Sequence, residues 1–222
     1  MGFLDRYRSP ADLPQRLPVF PLSGALLLPR AELPLNIFEP RYLEMMTDAM
    51  AGDRLIGMIQ PDPGTAGAER PGLLAIGCAG RITAYAETPD DRLVVTLTGI
   101  SRFAIRDELD VDTAYRQVHA DFHPFAVDLV SDLGAGDVNR GALLKAFRDY
   151  LNANDMKADW DQVDAASTEV LVNTLSLLAP YPPEEKQALL EAPDLKTRAD
   201  VLVALTEMAL SRMGGGGKTR LQ

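Results

Sequence analysis

A single cysteine, Cys78, stands in 222 residues. No intramolecular disulfide can form, and a lone thiol fits a reducing compartment. Long apolar runs are also missing, since no stretch approaches the ~20 residues that cross a bilayer. The start, MGFLDRYRSPADLPQR, has no apolar signal core and no small-residue cleavage pattern. Arg6 stands where a myristoylation signal needs Ser or Thr. A cytoplasmic protein is the expectation. Basic charge is scarce: 22 Lys and Arg oppose 32 Asp and Glu, for a net charge of −10 and a pI of about 4.7. Phosphate backbones and anionic lipid surfaces are read by clustered Lys and Arg, so neither nucleic acid nor membrane is an expected partner.

Catalytic patterns are absent as well. The tail GGGGKT (214–219) falls short of a P-loop, because Arg212 occupies the place of the first glycine. No G-x-S-x-G elbow is present. The two histidines, His119 and His123, flank Asp121 on one face of a strand-like stretch. Three ligands could be built from them, but polar-out alternation explains the pattern without a metal. No catalytic, cofactor-binding or metal-ligating residue is assigned, and no cofactor is expected.

What is present is an ordinary globular composition, 46% hydrophobic and 24% charged, in a chain long enough to bury a sizeable core. Two textures divide it. An arm (1–16) precedes a β-rich stretch (17–130) of short runs broken by Pro and Gly: LPVFPL (17–22), ALLLP (25–29), AELPLNIF (31–38), RLIGMIQ (54–60), LLAIGCAGRITAYAE (73–87), RLVVTLTG (92–99), RFAIRDE (102–108) and YRQVHADFH (115–123). TPDD makes a hairpin between the fifth and sixth of these. One amphipathic helix is inserted over EPRYLEMMTDAMAGD (39–53), with Pro40 suited to its first position and Gly52 to its end. A helical stretch (131–213) follows. Leu144, Phe147 and Leu151 align over 138–154, and Leu171, Leu175 and Leu178 over 167–179, with Val170 and Thr174 beside them. A short helix is expected over 182–192, and Asp194 caps a longer one over 195–213. Residues 214–222 read as a flexible tail.

Three segments carry a family resemblance. LPVFPL followed by Ile37, Phe38, Glu39, Pro40, Arg41 and Tyr42 resembles the opening of the Lon protease N-terminal domain family, with its Leu-Pro-x-Phe-Pro-Leu and Ile-Phe-Glu-x-Arg-Tyr elements. IGCAGRITAYAETPDDRLVVTLTGISRFAI (76–105) is similar to the family's central strands, closing on Leu-x-Gly-x-x-Arg-Phe. PPEEKQALLEAPDLKTRADVL (182–202) is similar to its helical region. The resemblance spans about residues 17 to 212. It implies an α+β fold, a β-rich PUA-like subdomain of short strands with one inserted helix, followed by an α-helical bundle. It also implies recognition of polypeptides, usually ahead of an ATPase and a peptidase. This chain carries neither the P-loop nor the Ser–Lys peptidase context.

The expected function is therefore non-enzymatic: binding of unfolded or partly folded polypeptides, or adaptor service to an ATP-dependent protease. The alternative is a small-ligand binder or enzyme that reuses the PUA-like scaffold. Candidate polypeptide-binding residues are Leu26, Leu27, Leu28 and Pro29, an apolar run that one half-buried strand cannot hide, together with Met45 and Met46. Burial of the run on both faces is the competing reading. Glu39, Arg41 and Arg102 read as structural charges, Arg41 tying its helix to the β layer. Phe20, Phe38 and Phe103 read as core, and Cys78 as a buried, inert thiol.

Overall fold

The computed structural model describes residues 6–90 and 92–215. Its first half holds β1 (Arg16–Pro21), β2 (Glu32–Ile37), α1 (Pro40–Ala51), β3 (Leu55–Ile59), β4 (Ile76–Glu87), β5 (Leu93–Glu108) and β6 (Arg116–Asp121). The sheet order is β2-β5-β4-β3-β1-β6, and a further β5–β6 pairing closes five strands into a barrel with β2 as an added edge. β1 and β3 run parallel, and the other pairs among the described residues are antiparallel. Pro34 sits in the edge strand, where a missing N–H is tolerated.

The barrel depends on β5. Leu93 to Thr98 pair with β2, and Ala104 to Glu108 pair with β6. The sequence reads as two strands parted at Gly99, but the backbone runs through as one. Gly99 is needed for another reason. The segment between β1 and β2 crosses β5 there, and a Cβ on Gly99 would collide with the Leu28 carbonyl oxygen. Two backbone bonds fix the crossing, Arg30 N–H to Gly99 O at 2.8 Å and Gly99 N–H to Ala31 O at 2.9 Å. Residues 25–29, expected as a strand, are instead this irregular crossing segment.

Alternation along the strands builds two apolar layers. Leu17, Val19, Leu55, Ile59, Phe103, Val118 and Ala120 form one cluster. Gly57 and Gly77 make room for its Phe103, whose ring lies 2.8 and 2.7 Å from where their Cβ atoms would stand. The other faces, with Phe20, Ile56, Met58, Leu93 and Val95, join a second cluster. β3 is buried along its whole length because it serves both layers. Phe20 and Phe103 are core as expected. Phe38 is not: it is 60% exposed, at the end of β2, beneath the Arg92 guanidinium 5.5 Å away.

The second half holds α2 (Arg140–Ala153), α3 (Trp160–Ala165), α4 (Thr168–Leu178), α5 (Pro183–Glu191) and α6 (Leu195–Gly215). Side-chain caps start them: Asn139 accepts from Ala142 N–H at 3.0 Å, and Asp194 from Thr197 N–H at 2.7 Å. The tail expected at 214–222 begins as the end of α6, and residues 216–222 lie outside the described residues. Leu171, Val172, Leu189 and Leu202 share one core cluster with Leu26, Leu28 and Ile56. The apolar core therefore crosses the change of texture near residue 130.

Buried polar groups join the layers at that seam. Arg102, 1% exposed, donates from Nε and Nη2 to the two Asp128 carboxylate oxygens at 2.9 and 2.8 Å. Its Nη1 reaches the carbonyls of Leu190 at 3.1 Å and Ala192 at 2.5 Å. Phe125 covers the guanidinium at 4.7 Å. Arg30, held at the left-handed φ of 62°, forms an ion pair with Glu169 of α4 and donates to Asp128 O at 2.8 Å. Asn173 of α4 donates to Pro29 O at 2.9 Å. Arg198 of α6 bonds Leu189 O and Asn173 Oδ1, and its Nη2 has no hydrogen-bond partner among the described residues. Burial, then the nearby Arg102 guanidinium, pulls the Arg198 pKa down to about 10. These bonds fix which face of α4 meets the β layer.

Candidate functional site

The six residues expected to form a polypeptide-binding surface are all buried. Leu26, Leu27, Leu28, Pro29, Met45 and Met46 are closed off from solvent. Leu27 packs against the bare face of Gly80, and Asn173 covers Pro29 from the helical side. The run is sandwiched between sheet and helices, which is how three successive leucines all lose water. Met45 and Met46 lie on the inner face of α1. None of the six offers a surface to another chain in this fold, which corrects that assignment.

The singled-out charges separate. Arg41 does not tie α1 to the β layer. It pairs with Glu39 at 2.7 Å on the surface and lies over the Tyr42 ring at 4.5 Å. A pair so exposed contributes roughly 0–1 kcal/mol. Arg102 holds the anchoring role instead. His119 and His123 face different carboxylates, Asp107 at 2.8 Å and Asp121 at 2.9 Å, and do not converge. Cys78 is buried as expected, its thiol pKa pushed up by burial.

Apolar surface appears elsewhere, in a groove of about 390 Å³ in the helical half. Leu143, Phe147 and Leu151 of α2, Leu171 and Leu175 of α4, and Leu202 of α6 line it. Met156, 54% exposed, and Leu178, 74% exposed, stand at its margin. α3 makes a wall. The Asp159 carboxylate caps it, accepting from Asp161 N–H at 3.1 Å and Gln162 N–H at 3.3 Å. Trp160 packs at 6.1 Å from the Phe147 ring and beneath Arg148 at 4.4 Å. Arg140, at the start of α2, donates to Val163 O at 2.9 Å.

α4 buries a polar stripe as well as most of its apolar one. Glu169, Asn173 and Ser176 recur at helical spacing and form a polar stripe that ordinarily faces water. Here all three are buried at the seam. Glu169 meets Arg30, Asn173 meets Pro29, and the Ser176 hydroxyl donates to Val172 O at 2.8 Å. Val170, Thr174 and Leu178, on another face, line the groove instead, and Val170 and Leu178 are exposed. Leu171, Val172 and Leu175 are buried as well, and Val170 and Leu178 are the apolar residues of α4 left exposed among the described residues.

Three of the polar residues at the groove, Tyr181, Thr206 and Asp159, are engaged with the protein itself. The Tyr181 and Thr206 hydroxyls meet at 2.7 Å, and the Thr206 hydroxyl also reaches Leu202 O at 2.7 Å. Burial raises the Tyr181 phenol pKa. Asp159 serves its own helix. The lining can take up apolar side chains. A second concavity, near Tyr7 and Arg54, has charges of both signs, with Arg81 Nη1 held by Tyr7 Oη and Asp53 O, each at 3.0 Å.

Sequence comparison shows the family, and solved structures show the same fold. Residues 16–207 match the family described as the ATP-dependent protease La (LON) substrate-binding domain. Lon protease 2 of Myxococcus xanthus is 27% identical over 209 residues, covering 87% of this chain and 24% of that protein. Lon protease of Desulfosudis oleivorans is 31% identical over 102 residues, covering 45% of this chain and 12% of that protein. The chain thus spans about a quarter or less of these curated relatives. Among solved structures, the N-terminal domain of Mycobacterium avium complex Lon protease superposes with a TM-score of 0.65 at 17% identity, covering 86% of this chain and 98% of that one. A Lon N-terminal domain protein from Xanthomonas campestris gives 0.56 at 21% identity, covering 85% and 97%.

Proposed function

This chain belongs to the LON substrate-binding domain family, and from that premise we propose that it binds unfolded or partly folded polypeptide segments in the apolar groove of its helical half. The exposed apolar side chains at the groove, Met156, Val170 and Leu178, carry this reading. Exposed apolar surface in water is unfavourable by about 25 cal/mol per Å², and contiguous surface of that kind marks a place where another chain sits. Leu178, Met156 and Val170 would contact the bound segment, while Leu171, Leu175 and Leu202 give it a floor. Met156 is unbranched and polarizable, and suits a site that takes varied side chains.

In this reading the chain recognises polypeptides without cleaving them. An ATP-dependent protease is its proposed partner, supported by the Lon proteases among its relatives. A cytoplasmic setting is proposed from the lone, buried Cys78. No described helix is long and apolar enough to cross a membrane.

A small-ligand site is the competing reading, since the groove volume lies within the range of roughly 300–1,000 Å³ seen for such sites. Specific small-molecule sites converge several polar groups on the ligand, whereas Tyr181, Thr206 and Asp159 are engaged with the protein itself and most of the remaining lining is apolar. A titration of a fluorescent, permanently unfolded chain separates the two. Met156→Asn combined with Leu178→Asn should weaken binding about tenfold or more, the loss expected when two apolar contacts vanish. Both sites are exposed, so the melting temperature should hardly move. Undiminished affinity in the doubly substituted protein would move the binding site elsewhere.

A further inference from the structure

The groove holds a sulfur at its margin. α2 ends in a turn where Asp155 takes the left-handed φ of 51°, and the next N–H, that of Met156, donates to Leu151 O at 2.9 Å. The turn sets Met156 beside the apolar lining with more than half of its surface in water. Access divides the sulfurs of this chain. Met45, Met46 and Met58 are buried. Cys78 is buried too, and burial pushes its thiol pKa up, away from the reactive thiolate. Met156, Met208 and Met213 are exposed. Of these three, Met156 lines the groove, while Met208 and Met213 stand on α6 outside the lining.

A thioether is an apolar group that mild oxidants turn polar, and the change is reversible. Hydrogen peroxide transfers one oxygen to Sδ. The S–O bond forms as the O–O bond breaks, the sulfur gives up two electrons, and the peroxide is reduced to water. The sulfoxide is a hydrogen-bond acceptor where an apolar contact stood. Water and the neighbouring Lys157 ammonium can meet the new oxygen while the groove is open. An apolar side chain that docks there has to displace them, and so desolvates a polar group. We propose that Met156 is a modification site: its oxidation by a peroxide weakens polypeptide binding in the groove, and its reduction restores binding. This proposal rests on the groove being the polypeptide site. Oxidation of Met208 and Met213, outside the lining, leaves binding as it was.

The full chain is treated with hydrogen peroxide, freed of it, and titrated with the fluorescent unfolded chain. Peptide mass mapping should find the sulfoxide at Met156 and leave Met45, Met46 and Met58 reduced. Affinity should fall about fivefold or more, the low end for desolvating one polar group, with little change in melting temperature. The two methionine sulfoxide reductases, one for each epimer, should restore it. Met156→Leu keeps the apolar contact without the sulfur. Its affinity should be the same before and after treatment, although Met208 and Met213 are oxidised in it as well. Three results would each overturn the proposal: full affinity in protein whose Met156 is mapped as sulfoxide, an equal loss in Met156→Leu, or a Met156 that stays reduced while Met208 and Met213 react. The groove remains the binding site in those cases if Met156→Asn with Leu178→Asn weakens binding by the untreated protein. A double substitution without effect there would overturn the site, and the proposal with it.

Discussion

Arg102→Ala should lower the free energy of unfolding by about 3–5 kcal/mol, the range for removing one partner of a buried ion pair. Its guanidinium is the most connected polar group at the seam. Losing it would leave the Asp128 carboxylate with the Arg102 backbone N–H at 2.9 Å and no guanidinium. It would also orphan the Leu190 and Ala192 carbonyls that end α5, at roughly 1–3 kcal/mol for each unsatisfied group. These costs overlap, so they do not add. Denaturant unfolding of the variant checks the number. A midpoint within about 0.5 kcal/mol of the parent, the scatter of ordinary surface changes, would mean that the seam is not held as described.

Leu28→Asp should be at least as damaging. Leu28 is 0% exposed, and its carbonyl oxygen rests on Gly99. An aspartate there must either bury an unpaired carboxylate or lift the crossing segment off β5. A loss above about 4 kcal/mol is expected, in the exceptional tail of single substitutions. Leu178→Asp makes the matched control: the same chemical change on an exposed leucine should move stability by less than about 1 kcal/mol. Circular dichroism melts of the two proteins side by side decide the matter. A folded, cooperative Leu28→Asp protein would place the Leu26–Pro29 run at a surface after all.

Much of the fold is legible in the sequence, and the reasons are local. Period-two alternation marks β6, and an unbroken apolar run marks β3, because each side of these strands meets a definite layer. Pro40 and Asp194 announce helix starts through their own chemistry. α3 escapes notice because ADWDQVDA is short and acidic. Its stability comes from the Asp159 cap and from Trp160 packed on Phe147, and only the first of these is local. β5 looks broken at Gly99 because glycine usually interrupts strands. Here the glycine admits the Leu28 crossing.

The candidate site is the part the sequence conceals. The Leu26–Pro29 run looks like surplus apolar surface, yet it has two partners, sheet and helix, that lie far apart in the chain. α4 shows its stripe of Leu171, Leu175 and Leu178, but its sequence does not mark Glu169, Asn173 and Ser176 for burial. The partners that bury Glu169 and Asn173, Arg30 and Pro29, are more than a hundred residues away. An acid and an amide four residues apart beside an apolar stripe carry no mark that they will be buried. Arg30, in the left-handed region without a glycine's freedom, likewise gives no sign in the sequence of the bond it will make.

Photocrosslinking tests the central claim most directly. A photoreactive phenylalanine analogue placed at Leu178, at the groove margin, is compared with one at Val130, an exposed apolar position outside the groove lining. Each protein is illuminated with the same unfolded, labelled polypeptide. Labelled adduct should concentrate at position 178 and fall away when unlabelled polypeptide competes. Equal or greater yield at position 130, with none at 178, would contradict polypeptide recognition by the groove of the helical half.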